Sequence, residues 1–372
     1  METASGINGA NTDLTPARAV SEARLARLAT GLGLGDRTGE CLKAFRAMTE
    51  SWGTATAAEL PESDVSSDGS PVEFAVGLED DAAVQFAVEA LAPGDSPADR
   101  VDAARATMAR LVRRFGTDQR RWTQVADLFL PEKPATAHVA MFGAEVRSSG
   151  PVQFKVWFYP GVGGPEQAAE LCRQGLAAVG LGEAWPAVVA HMPRGERLDP
   201  PVLFSLDLSA DRAARVKLYF RHHASNADRL AELMAPYPGF AATPVREFCE
   251  LMAAAAAADL TAQPPVTCLS FTGERPAAVG AATVYLPMWT YAPHDEAVRR
   301  RMHRALAAGG RPLEPYEQAL RDVAGRPLAA GRGLHNYIAW RPGRDRPRFK
   351  AYFSPELRHI DPAARYAPDG LS

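Results

Sequence analysis

The chain carries only four cysteines in 372 residues, Cys41, Cys172, Cys249 and Cys268, too far apart for a CxxC ligand pair or the dense framework of a small disulfide-stapled domain. A reducing, cytoplasmic location is expected. No run of eighteen apolar residues occurs, and the opening METASGINGANTDLTP has neither a basic stretch nor an apolar core, so neither a membrane span nor an export signal is expected. Net charge is also scarce. With 41 Lys and Arg against 44 Asp and Glu, the formal charge is −3, which supplies no general field for nucleic acid or an anionic membrane. Any anion site must therefore be local. Paired acidic motifs are missing too: Glu79-Asp80-Asp81 resembles half of a metal–diphosphate motif, but it sits at an expected hairpin tip with no second acidic motif, and reads as a solvated turn. No metal and no cofactor are expected.

What the chain does have is a 47% hydrophobic content arranged in a repeating order. Five pairs of short alternating runs, rich in Val, Phe, Tyr and Leu and joined by turn-forming residues, span Val72 to Ala90, His138 to Tyr159, Val202 to His222, Val266 to Trp289 and His335 to Glu356. Between them lie segments with helical periodicity, such as PEQAAELCRQGLAAV from Pro165 and PVREFCELMAAAAAA from Pro244. Strand, strand, helix, helix thus recurs as a repeat architecture. The expected fold is α+β: five ββαα repeats closing a ten-stranded antiparallel barrel over residues 71–356, ringed by helices. Residues 1–14 are expected to be disordered, 15–70 to form a helical cap with PESDVSSDGSP (Pro61 to Pro71) as linker, and 357–372 to form a tail.

Side chains two apart share a strand face, so each strand sorts into two stripes. Val156 and Phe158 oppose Lys155, Trp157 and Tyr159; Val216, Leu218 and Phe220 oppose Arg215, Lys217 and Tyr219; Val284 and Leu286 oppose Thr283 and Tyr285; Phe349, Ala351 and Phe353 oppose Arg348, Lys350 and Tyr352. If helices cover the apolar stripes, a cation followed by an aromatic recurs on the lumen wall. Buried cations are costly unless an anion offsets them, and the stripes are expected to supply few carboxylates, with Glu73 the one assigned to the lumen. A diphosphate would resolve the deficit, and the interleaved rings would stabilise an allylic cation and exclude water. Glu73 could accept the N–H of an indole.

At these residues the chain resembles a known family. PVEF around Glu73, FKVWFYP at Lys155, ARVKLYF at Arg215 and Lys217, TVYLP at Tyr285 and FKAYF at Tyr352 are similar, in order and spacing, to the aromatic prenyltransferases of the dimethylallyltryptophan synthase family, with its barrel of five such repeats. The resemblance, which covers about Ser70 to Glu356, implies dimethylallyl diphosphate and L-tryptophan or a related indole as partners. It implies that Glu73 contacts the indole; that Lys155, Arg215, Lys217, Tyr219, Tyr285, Lys350 and Tyr352 hold the diphosphate; that Trp157, Tyr219, Tyr285 and Tyr352 shield the cation; and that Tyr159 and Met141 lie at the acceptor. Three positions depart from the fungal tryptophan C4 enzymes: Gln85 stands for an arginine, Trp157 for a tyrosine, and Met141-Phe142 occur near their catalytic lysine. These departures thin the donor contacts. The compact length is closer to bacterial enzymes that alkylate the benzene ring or the nitrogen, and C6 is the expected position among C5 to C7.

Other features read as structure. Gly161-Val162-Gly163-Gly164-Pro165 lacks the GK[ST] ending of a phosphate loop and reads as a turn; Arg299 to Arg304 reads as a solvated helix face; His222, His223 and His335 lack companion metal ligands; Ala253 to Ala258 reads as a close-packed helix interior. Three alternatives stay open at this point: the stripes are reversed, with Val, Leu and Phe filling the lumen; the barrel is a non-catalytic carrier of an apolar ligand; or the acceptor is the indole nitrogen, a tyrosine hydroxyl or a cyclic dipeptide.

Overall fold

Period-two alternation decides the architecture. The structure, a computed structural model, describes residues 15–79, 83–92, 96–358 and 360–365. The N-terminal segment expected to be disordered, the tip residues Asp80 and Asp81, and positions 366–372 of the tail lie outside the described residues. The five expected hairpins form as β1 (Val72–Gly77) and β2 (Ala83–Glu89), β3 (Ala140–Arg147) and β4 (Gln153–Phe158), β5 (Pro201–Asp207) and β6 (Arg215–Arg221), β7 (Val266–Thr272) and β8 (Ala281–Pro287), and β9 (His335–Arg341) and β10 (Arg348–Phe353). Each pairs antiparallel with its sequence neighbours, and β1 pairs with β10 from Phe74↔Phe353 to Gly77↔Lys350, so the ten strands close with no free edge.

Helices α1 (Ala17–Gly31) and α2 (Thr38–Met48) precede the barrel. The connections carry α3 (Pro97–Phe115) and α4 (Arg120–Phe129), α5 (Ala168–Ala178) and α6 (Trp185–Ala190), α7 (Ala227–Met234) and α8 (Ala242–Ala253), then a short turn α9 (Met288–Tyr291) with α10 (Asp295–Ala308) and α11 (Glu314–Val323); α12 (Pro362–Arg365) follows β10. Local chemistry sets these bounds. In α3, Ser96 and Asp99 form a reciprocal capping box, Pro97 occupies the first turn, and Gly116 ends the helix with φ 63°.

The stripes face as the alternation requires. Val156, Phe158, Val216, Leu218, Phe220, Val284, Leu286, Phe349, Ala351 and Phe353 are all buried beneath the helices. Phe129 of α4 stacks on Phe158 and Phe204 at centroid distances of 5.1 and 4.8 Å, and Phe248 of α8 stacks on Trp340 at 5.9 Å. Each such ring, fully buried, contributes on the order of 1.5–3 kcal/mol. The reversed arrangement is thereby excluded.

Three local expectations are corrected. The alanine run is not a helix interior: α8 ends at Ala253, Ala254 turns left-handed at φ 55°, and Ala254 to Ala257 are exposed. Alanines have no bulk to hold a further turn against the barrel. The arginine-rich stretch of α10 is not simply solvated, because Arg301 is buried and donates to the carbonyls of Met252 and Tyr291. The stretch before β1 is not a loose linker either. Ser63, Ser66, Ser67, Asp68 and Ser70 are buried, and Asp68 accepts from the Ser70 and Ser354 hydroxyls at 2.7 and 2.8 Å.

One glycine couples the wall to the lumen. A Cβ on Gly143 of β3 would lie 2.6 Å from the Phe86 carbonyl oxygen and 2.7 Å from the Trp157 ring. Gly143→Ala should displace the Trp157 indole and destabilise the protein by about 1–3 kcal/mol. A lower Tm by calorimetry together with a changed near-UV circular dichroism signal is the expected result; an unchanged spectrum would show that Trp157 does not rest on Gly143.

Candidate functional site

Inside the barrel is a cavity of about 670 Å³. Its lining includes Glu73, Met141, Lys155, Trp157, Tyr159, Arg215, Lys217, Tyr219, Tyr285, Lys350 and Tyr352, so the residues assigned to the site from the sequence face one space. Antiparallel order gives that space two ends. Odd strands begin and even strands end at one rim, where Glu73, Met141 and Tyr159 lie; Arg215 begins β6 and Arg348 begins β10 at the other.

Between the rims runs an aromatic belt. Trp157 Nε1 donates to the Tyr219 hydroxyl at 3.3 Å, and the Tyr219–Tyr285 and Tyr285–Tyr352 rings stand 5.9 and 5.8 Å apart. Burial pushes all three tyrosine hydroxyls to higher pKa, so they remain neutral donors. Tilted π faces of this kind can surround a cation without reacting as phenolates.

The cations lie beside the belt, and here the expectation of few carboxylates is corrected. Glu145 of β3 and Asp207 of β5 also face the lumen, so Glu73 is not its sole acid. Lys155 Nζ donates to Glu145 Oε2 at 2.7 Å with both side chains buried, and Arg215 Nε donates to Asp207 Oδ2 at 2.7 Å. Burial alone would raise both acids; Lys155 beside Glu145, and Lys217 and Arg215 beside Asp207, pull them below the ordinary range. Both stay ionised. Asp207 Oδ1 is nevertheless buried without a hydrogen-bond partner.

Beside these pairs, Lys217 and Lys350 have no acid partner among the described residues. Lys350 Nζ donates to the neutral Gln85 Oε1 at 2.9 Å, and Lys217 makes no hydrogen bond or ion pair among the described residues. Burial, then Arg215 and Lys155, depress Lys217 to about 8; burial, then Lys155, depress Lys350 to about 7. A polyanion entering here would meet ammonium groups that gain from its charge.

At the opposite rim Glu73 is set apart. Burial pushes its carboxyl up to about 8, against the opposing pull of an Asn336 hydrogen bond and of Lys350. Nearby, Glu89 accepts from His138 at 2.9 Å and Arg100 at 3.2 Å, and the His138 ring lies 5.6 Å from Tyr159. Sequence reasoning missed Glu145 and Asp207, although the stripe Met141-Gly143-Glu145-Arg147 alternates as plainly as that of Lys155. Asn336 carried no signal, for a reason that lies in the backbone. His222 and His335 are structural: each is buried and bonds an aspartate, Asp199 or Asp295, at 2.8 Å. Among the described residues, no group of three or more His, Cys, Asp or Glu side chains is placed to hold a metal, and no helix is long and apolar enough to cross a membrane.

Known proteins share this fold. The sequence model of the tryptophan dimethylallyltransferase family matches residues 40–323. A 6-dimethylallyltryptophan synthase from Micromonospora olivasterospora, solved in complex with DMASPP and Trp, has 26% identity and a TM-score of 0.85 over 94% of this chain and 98% of that one. A 5-dimethylallyltryptophan synthase from Streptomyces coelicolor has 27% identity and a TM-score of 0.83 over 94% and 100%. AnaPT from Neosartorya fischeri, at 16% identity and a TM-score of 0.72 over 92% of each chain, shares the fold. With most of its length matched and its barrel, belt and lumen cations in one cavity, the chain belongs to the tryptophan dimethylallyltransferase family and is an aromatic prenyltransferase.

Proposed function

We propose that the protein transfers a dimethylallyl group from dimethylallyl diphosphate to the benzene ring of L-tryptophan, at C6. The observation that carries this reading is the order of groups along the lumen: Lys217 and Lys350 without an acid partner, then an aromatic belt, then Glu73, a carboxyl with no cation bonded to it, at the far rim. The names of the two bacterial relatives, one a 6- and one a 5-dimethylallyltryptophan synthase, support the benzene ring.

In this reading Lys217 and Lys350, with Lys155, Arg215 and the hydroxyls of Tyr219, Tyr285 and Tyr352, receive the diphosphate. Lys155 and Arg215 are already held in place by Glu145 and Asp207. The allylic C–O bond breaks and its electron pair leaves with the diphosphate, whose charge the lysines offset. Trp157 and the tyrosines shield the allyl cation from water. Ring π electrons then form the new C–C bond, and loss of the ring proton restores aromaticity. Glu73 accepts the indole N–H, orienting the ring and stabilising positive charge delocalised toward nitrogen. Met141 and Tyr159 border the acceptor. A carrier of an apolar ligand would not need the uncommitted lysines.

The direct experiment incubates the protein with dimethylallyl diphosphate and L-tryptophan and identifies the product by mass spectrometry and NMR. A C6-alkylated tryptophan, formed equally well in excess chelator, is expected; a magnesium requirement would overturn the lysine-based donor site. Two variants separate the ends of the cavity. Lys217→Ala should weaken donor binding by about 1.5–3 kcal/mol, the worth of a charge-assisted contact, and leave acceptor binding little changed. Glu73→Gln should lower turnover roughly a hundredfold or more with donor affinity retained, and a wild-type rate in it would remove Glu73 from the mechanism.

The depressed lysines also give donor binding a pH signature. At pH 8 about half of Lys217 and most of Lys350 are neutral in the free protein, given values of about 8 and about 7. A bound diphosphate raises both, so binding should take up protons at pH 8 and fewer at pH 6, where both lysines are already charged and the diphosphate gives up its own proton. Calorimetry in buffers of different ionisation enthalpy measures this directly; proton release at pH 8 would contradict it.

A further inference from the structure

β9 does not keep the alternation of the other strands. Its pairing with β10 shifts between Ile338↔Ala351 and His335↔Phe353, so Asn336 and Tyr337 together face the single Tyr352. Such a bulge bends the strand and re-aims a side chain. The neighbouring positions are fixed from outside. His335 turns away from the lumen, its backbone N–H and Nδ1 bonded to Asp295 Oδ1 at 2.9 and 2.8 Å and its Nε2 to the Tyr316 hydroxyl at 2.8 Å.

Asn336 is thereby buried beneath the segment that leads into β1, and its amide is fully committed. Oδ1 accepts from the Ser67 backbone N–H at 3.0 Å, and Nδ2 donates to the Val65 carbonyl at 3.0 Å and to Glu73 Oε1. The two backbone contacts allow one amide orientation only, since a flip would set N–H against N–H and C=O against C=O. Asn336 therefore presents a donor to Glu73, and Glu73 Oε2 has no protein partner among the described residues.

We infer that Asn336 is the positioning residue for Glu73: its backbone-locked amide clamps one carboxyl oxygen and leaves the other to receive the acceptor's N–H. The inference rests on the proposed role of Glu73. Its chemistry follows from the surroundings. The groups that bear on Glu73 are Asn336 of β9 and, from β10, Lys350 and Tyr352. Burial opposes ionisation of Glu73, while the Asn336 donor and the Lys350 charge favour it. Without the amide the carboxyl would be both less ionised and free to rotate.

The test compares Asn336→Asp, which keeps the shape and the acceptor for Ser67 but loses the donor, with the neutral Asn336→Ser. In both, kcat on L-tryptophan should fall about tenfold or more with donor affinity within about twofold, and the acid limb of the kcat/KM profile should move to higher pH. A residue acting through Glu73 should add less than about threefold in a Glu73→Gln background, because residues acting as a unit are not additive. The same small effect is expected with an acceptor whose indole nitrogen is replaced by sulfur, which has no N–H to offer. An equal loss in that background, or with the sulfur analogue, would make the role merely structural; folded variants with wild-type kcat would remove it. Intact effects of Glu73→Gln beside silent Asn336 variants would overturn only the clamp, whereas a silent Glu73→Gln would overturn the reading on which it rests. A measurement on the unaltered protein does not depend on how the variants fold. The chain has four asparagines, Asn8, Asn11, Asn226 and Asn336, so selective ¹⁵N-asparagine labelling resolves few side-chain amides. The Asn336 amide should titrate with the midpoint of the acid limb and lose that titration in Glu73→Gln; a pH-independent signal would refute the contact.

Discussion

Bringing several ammonium and guanidinium groups into one closed lumen is the constraint on which the rest of this structure depends. Desolvation makes such a cluster unfavourable unless anions offset it. Glu145 and Asp207 offset part of it, by direct bonds to Lys155 and Arg215. Lys217 and Lys350 are left without an acid, and both are depressed far from the ordinary lysine range. The barrel can hold this partly uncompensated charge because closure leaves no strand edge exposed and because the outer stripe, from Phe158 to Phe353, is anchored by helices independently of the lumen.

How much of this was legible in the sequence depends on the length of the pattern. Five hairpins, each with an apolar stripe and three with a basic-aromatic stripe opposite it, specify the strands, their faces and their closure, because a one-residue slip would turn Val216, Leu218 and Phe220 into the lumen and expose Lys217 to the helices. Most of the lumen list followed from that phase, while Met141 and the assignment of Glu73 leaned on the family resemblance. Glu145 and Asp207 were equally readable by the same rule, but they lie on the first strands of their hairpins, where no repeated motif drew attention to them. Local chain geometry was less accessible. The left-handed exit at Ala254 has no glycine to announce it, and the serine-rich stretch before β1 has the composition of a linker while its hydroxyls and Asp68 satisfy groups from the distant Ser354 and Leu357.

Asn336 lay beyond sequence reasoning for a different reason. Strict alternation back from Arg341 and Ala339 puts Tyr337 and His335 inward and Asn336 outward. The bulge inserts one residue into that count, so the phase reverses at the rim where Glu73 lies. Because a bulge in β9 is defined only relative to β10, no property of β9 alone reveals it.

The two kinds of carboxylate in the lumen illustrate how position on the same wall assigns opposite behaviour. Glu145 and Glu73 are both largely removed from water, yet one is held well below the carboxylate range and the other is raised to about 8. The difference is what each touches. Glu145 bonds an ammonium, and its charge is partnered before any ligand arrives; Glu73 bonds only a neutral amide and feels Lys350 across the belt. In the proposed reaction an acceptor N–H, and then the cationic ring that follows, would supply Glu73 with the partner it lacks, while the leaving diphosphate does the same for Lys217 and Lys350. Positive charge thus moves away from the lysines and toward Glu73 as the bond forms. A wall that leaves Lys217 and Lys350 without an acid at one end and Glu73 without a cation bond at the other is complementary to that separation of charge rather than to either neutral surroundings or a fully paired lumen.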